Sequence, residues 1–64
     1  MRLTEFWERM RRSFGPGYAE SIARDQVLSG LGGRTVEQAL ADGEDAKEVW
    51  RAVWEAFRLP PRER

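Results

Sequence analysis

Leu3-Thr4-Glu5-Phe6-Trp7-Glu8-Arg9-Met10-Arg11-Arg12-Ser13-Phe14 is the stretch on which the fold turns. At 100° per residue, Leu3, Phe6, Trp7, Met10 and Phe14 fall within one arc of about 100°, the apolar stripe of an amphipathic helix. Glu5–Arg9 and Glu8–Arg12 stand four apart on the opposite side, acid before base, which is the favourable order. Thr4 is placed as the N-cap, so the spacing predicts a helix over about 5–14. Gly15-Pro16-Gly17 then breaks the chain.

The next segment, about 16–29, is less regular. Tyr18, Ala19, Ile22 and Ala23 share a face, while Val27, Leu28 and Leu31 drift round toward the other side. Such a helix is either sandwiched between neighbours or ends early and lets its tail repack. Asp25 lies near the Tyr18/Ile22 stripe and, if buried, needs a partner such as Arg34 or a free backbone N–H. Gly30, Gly32 and Gly33 are expected to stop the helix. Thr35 and Gln38 read as a capping box for a short helix over about 36–42, with Val36, Ala39 and Leu40 inward and Gly43 after it. Asp45 and Glu48 repeat that arrangement before a last helix over about 46–58, whose apolar face is Val49, Trp50, Val53, Trp54 and Phe57. Leu59-Pro60-Pro61 ends it, and the tail 60–64 is expected to fray. No segment alternates with period two, so no sheet is expected. The fold class is therefore all-α, a small single-domain bundle (1–64) of three main helices plus one short helix.

Composition narrows the chemistry. In 64 residues there are 11 basic and 11 acidic side chains, with no His and no Cys. Thiol or imidazole catalysis, disulfides and the usual zinc sites are excluded on that ground. No run approaches the ~18 apolar residues of a membrane helix, and Met1-Arg2-Leu3-Thr4 leads into a charged helix instead of a signal peptide. A cytoplasmic domain without membrane contact is expected. Seven aromatic residues, three of them Trp, are how so short a chain reaches a stable core. Any that stay outside face a partner.

Net charge is zero but uneven. Residues 1–14 carry four Arg against two Glu, and residues 35–45 carry four acids and no base. Asp42, Glu44 and Asp45 cluster at a turn without the ligand spacing of a calcium loop, and acids gather at helix starts in any case, so no metal site is assigned. The segment from Thr35 to Trp54 has the layout of a helix-turn-helix. The would-be recognition helix, however, sets Lys47, Arg51 and Arg58 against Asp45, Glu48 and Glu55. Nucleic-acid binding draws most of its affinity from neutralising phosphate, so that charge pattern disfavours it. Gly30-Leu31-Gly32-Gly33 follows a helix, not a strand, and brings no Lys, so it is a turn and not a phosphate loop. Trp50 lies well inside the apolar arc and reads as core. Trp54 lies at its edge beside Arg58 and Lys47, so core and partner anchor both stay open for it.

Ala23-Arg24-Asp25-Gln26-Val27-Leu28, Gly32 to Leu40 and Val49-Trp50-Arg51-Ala52-Val53, with Met1 to Trp7 and Leu59-Pro60-Pro61 at the ends, together resemble a family of short actinobacterial proteins, about 60–70 residues long, of unknown function. The resemblance covers nearly the whole chain and implies no established activity. It implies a DNA-repair context, through genes encoded near a strand-exchange recombinase and its regulator. It also implies relatives with His at the position of Gln26 and Cys at that of Trp54, so no chemistry shared by the family rests on those two side chains.

The function expected from the residues is non-catalytic: a protein-interaction or regulatory module with another protein as partner and no cofactor. Its expected surface combines Trp54, Arg51 and Arg58 with Arg9, Arg11 and Arg12 of the first helix. The basic face of that helix, Arg2, Arg9, Arg11 and Arg12, with Arg24 or Arg34 as candidate additions, by itself reads as a solvated face, because Arg9 and Arg12 already have Glu partners one turn away. The alternative is a nucleic-acid-associated, helix-turn-helix-like domain. An enzyme comes last, because carboxylates would have to do everything.

Overall fold

The computed structural model describes residues 1–61. In chain order it has α1 (Leu3–Phe14), α2 (Pro16–Asp25), β1 (Val27–Leu28), a 3₁₀ turn (Ser29–Leu31), β2 (Arg34–Thr35), α3 (Val36–Ala41) and α4 (Ala46–Ala56). The all-α class stands, with one small exception. β1 and β2 pair antiparallel, Val27 with Thr35 and Leu28 with Arg34, so the expectation of no sheet is corrected.

The cause lies in α2, which ends at Asp25 and not near Ser29. Gln26 turns the backbone extended (φ −88°, ψ 121°). A continued helix would carry Val27, Leu28 and Leu31 off the buried stripe. The extended turn instead buries Leu28 and Leu31 and leaves Val27 exposed. Gly32 and Gly33, both at positive φ, then return the chain to β2. Gly30 lets the 3₁₀ turn lie on α4, since a Cβ there would stand 3.2 Å from the Cβ of Ala52.

The other ends follow local chemistry. α1 begins at Leu3, ahead of the expected Thr4 cap, and Glu5 accepts the Arg2 backbone N–H at 3.4 Å. Only Gly15, at φ +93°, separates α1 from α2. α3 starts on the expected capping box: Thr35 Oγ1 accepts the Gln38 N–H at 3.1 Å, and Gln38 Oε1 accepts the Thr35 N–H at 2.9 Å. It ends as a glycine-terminated helix should, with the Gly43 N–H donating to Leu40 and the Glu44 N–H to Ala39. Asp45 does stand at the N-cap of α4, but its side chain makes no cap hydrogen bond, so the second expected box does not form.

α4 is the central element. It buries Ala46, Val49, Trp50, Ala52 and Val53, against α1, α3 and the β1–3₁₀ segment. Phe6 meets Trp50 edge-on at 6.2 Å, and Phe14 meets Phe57 at 5.1 Å, so α1 and α4 run side by side in the same sense. Phe6 and Met10 of α1 and Ala19, Ile22 and Ala23 of α2 complete the core. Tyr18, expected on that face, is 63% exposed at the outer edge of the α2 stripe. Asp25 lies on the same outer side, pairs with neighbouring Arg24 at 3.4 Å and therefore needs no buried partner. Of the tail expected to fray, residues 60 and 61 are placed, and 62–64 lie outside the described residues.

Candidate interaction surface

On α1 the buried side is centred on Phe6 and Met10. The rest of the stripe, at i, i+4 and i+8, advances 40° with each step, from Leu3 through Trp7 to Arg11. The structure places this row at the surface. Leu3 is 52% exposed and Trp7 half-buried, its ring edge-on to Phe6 at 5.3 Å. Leu3, Thr4, Trp7, Glu8 and Arg11 line one shallow groove. Trp7 and Arg11 continue into a second, with Glu20 and Arg24 of α2 and Glu37 of α3. The two grooves share Trp7 and Arg11 and adjoin there, the one beside Leu3 mainly apolar and the one toward α2 and α3 lined by charges of both signs around Trp7.

The α4 candidates lie elsewhere. Trp50 is core, at 1% exposure, as its place on the wheel predicts. Trp54 is half-buried, and its indole N–H donates to the Pro60 carbonyl at 2.8 Å. Arg51 is exposed and pairs with Glu48 one turn away at 3.8 Å. Arg58 is exposed beyond the helix in the left-handed region, at φ +52°. Among the arginines of α1, Arg11 faces the Trp7 groove, Arg12 is exposed and Arg9 half-buried. Of the six expected residues, Arg11 is the one that lines the Trp7 grooves.

Arg34 does not join the basic face of α1. Its guanidinium spans three acceptors: the Leu31 carbonyl at 2.8 Å, Asp42 at 3.0 Å and Glu44 at 2.6 Å. The hydrogen bond from Glu44 first, then that from Asp42, raises its pKa above the ordinary arginine value. Arg34 thereby ties β2 to the α3–α4 turn and takes up two of that turn's three clustered acids. No group of three or more potential metal ligands comes together among the described residues. No helix there is long and apolar enough to cross a membrane.

The helix-turn-helix layout is present in outline, as α3, the turn at 42–45 and α4, and the charge on it remains unfavourable. α3 has six residues, and α4 is spent on the core. Its exposed side carries Lys47 and Arg51 against Glu48 and Glu55, a balance of zero. Trp7, Leu3, Glu20 and Glu37 were absent from the expected surface, and Arg24 stood only as a candidate addition to the basic face of α1. The available signal was the wheel position of Trp7, at the outer edge of the α1 arc beside Arg11, the same edge placement that marks Trp54 on α4.

A family model described as "Protein of unknown function (DUF3046)" matches residues 1–62. No curated protein and no solved structure matches the chain.

Proposed function

We propose that this chain, which belongs to the DUF3046 family of proteins of unknown function, is a non-catalytic protein-interaction module acting in the cytoplasm as a regulator of a larger partner. One observation carries the reading: exposed Leu3 and half-buried Trp7, one turn apart on α1, line a shared groove at the surface of a domain too small to leave apolar side chains outside without cost. An aromatic flanked by Arg11 and Arg24 has the composition favoured at interface hot spots, and Glu8, Glu20 and Glu37 supply a polar rim. The two grooves, about 280 and 350 Å³, lie at the lower end of the ~300–1,000 Å³ typical of small-molecule pockets, and both are shallow and open to solvent. They suit a peptide segment or helix edge better than a metabolite. We place the protein in an actinobacterial cell, near the machinery of DNA strand exchange, on the strength of the sequence resemblance.

Affinity capture from lysate, run with and without nuclease, tests this directly. The expected result is a specific protein that survives nuclease and is lost with Leu3→Asp or Arg11→Glu, while near-ultraviolet circular dichroism shows both variants folded. Loss of all captured material after nuclease, with binding that falls steeply as salt rises, would instead establish nucleic acid as the partner.

A further inference from the structure

Glu8 and Arg11 stand three apart on α1, both exposed, and line the groove beside Leu3 and Trp7. Opposite charges at that spacing are neighbours on a helix. Among the described residues, however, neither takes part in an ion pair, and the same holds for Glu20 and Glu37 of the adjoining groove. The face around Trp7 therefore sets open charges of both signs beside an apolar row. A partner of one charge sign would meet like charge there, either at Arg11 or at the glutamates. A second copy of this chain brings both signs at the same spacing. Its formal net charge is zero, 11 basic side chains against 11 acidic, so two copies do not repel one another.

We propose that the Trp7 face is the contact of a two-fold symmetric dimer, in which α1 packs antiparallel on α1 of a second copy. The charges select the orientation. Parallel helices would set Arg11 against Arg11 and Glu8 against Glu8. In an antiparallel pair whose two-fold axis passes midway between Trp7 and Arg11, each Arg11 stands opposite Trp7 of the other copy, with Glu8 of that copy beside it. The guanidinium then meets an indole and a carboxylate together, a cation–π contact and an ion pair in one place. Leu3, one turn beyond Trp7, extends the apolar contact. The accessible surface of 4258 Å² matches the ~4,200 Å² that a compact monomer of 7.4 kDa exposes, so the fold is complete before association and the dimer forms reversibly. The proposal rests on the reading of this face as an interface, and it adds that self-association covers the face until a larger partner displaces the second copy.

Sedimentation velocity of the full-length protein, from about 10 µM to 1 mM, reads the association. The wild type is expected to pass from monomer to dimer within that range. Glu8→Arg and Arg11→Glu each oppose like charges across the two-fold axis, and each should raise the concentration of half-association by roughly tenfold or more. An equimolar mixture of the two variants restores opposite charges across the axis and should associate more tightly than either variant alone. Near-ultraviolet circular dichroism checks that both are folded. In the wild type, the Trp7 indole ¹⁵N–H resonance, assigned with Trp7→Phe, should move with the same midpoint, a readout that needs no folded charge variant. The proposal is overturned by a wild type still monomeric at the top of the range, or by a mixture that associates no better than its components. A Trp7 signal that stays fixed through dimerisation overturns it as well. A monomeric wild type that still captures a partner through Arg11 would remove the dimer and leave the reading of the face as an interface intact.

Discussion

At the scale of single residues, helix-wheel position separates the three tryptophans. Trp50, inside the α4 arc, is buried, whereas Trp7 and Trp54, each at the edge of its arc, are half-buried. A residue at the edge has core on one side of its ring and solvent on the other, so periodicity alone leaves its use undecided. Arg58 is a different case, because nothing in its side chain announces a left-handed backbone. It occupies the position after a helix where glycine is usual, since α4 ends with the same pair of hydrogen bonds that close α3 at Gly43. Left-handed backbone costs a non-glycine residue about 1–2 kcal/mol, and glycine gives back about 0.5–1 kcal/mol through its freer unfolded chain. Arg58→Gly should therefore stabilise the protein by roughly 0.5–1 kcal/mol in denaturant unfolding. A loss of stability would show that the Arg58 side chain contributes more than its backbone costs.

At the scale of elements, α3 shows how local chemistry can define a helix too short to stand alone. Six residues fall below the ~12 at which an isolated helix is even marginal. α3 is held by the reciprocal Thr35–Gln38 bonds at one end and the Gly43 turn at the other. Thr35→Ala should cost about 1 kcal/mol, as capping residues generally do. Gly43→Ala, placing a Cβ at φ +91°, should cost about 1–2 kcal/mol. Both are read from unfolding midpoints, and hydrogen exchange should show the loss concentrated in residues 36–41. An even loss across all helices would mean that α3 has no local opening of its own. The capping box was legible in Thr35-Val36-Glu37-Gln38 because both partners lie within one turn. The end of α2 was left open between a sandwiched helix and an early stop with a repacked tail, and the burial of Leu28 and Leu31 beyond Gln26 is what selects the early stop.

At the scale of the molecule, a small core leaves little margin. Trp50 is fully enclosed, and truncating a buried large aromatic costs about 3–5 kcal/mol. That is as much as a core of this size usually supplies. Trp50→Ala should therefore leave the chain largely unfolded at 25 °C by near-ultraviolet circular dichroism. A native spectrum would mean that the stability lies elsewhere than in the aromatic contacts of α1 and α4. The electrostatics are equally collective. Arg34 joins three acceptors from two separate segments, and its raised pKa means that its charge persists throughout the ordinary pH range. Its contribution is complete below the usual arginine pKa and fades only as pH rises through the still higher folded value.

The helical class, the stripes of α1 and α4, the α3 cap and the core position of Trp50 were all readable from residue order, because each depends on neighbours within four positions. The β1–β2 pairing and the reach of Arg34 to Asp42 and Glu44 depend on groups that meet only after the chain packs, since six to ten positions separate the partners. The same holds for the interaction surface. Periodicity assigned Leu3 and Trp7 to an apolar arc, but only the packing of α1 against α2 and α4 decided which part of that arc found a neighbour and which was left to solvent.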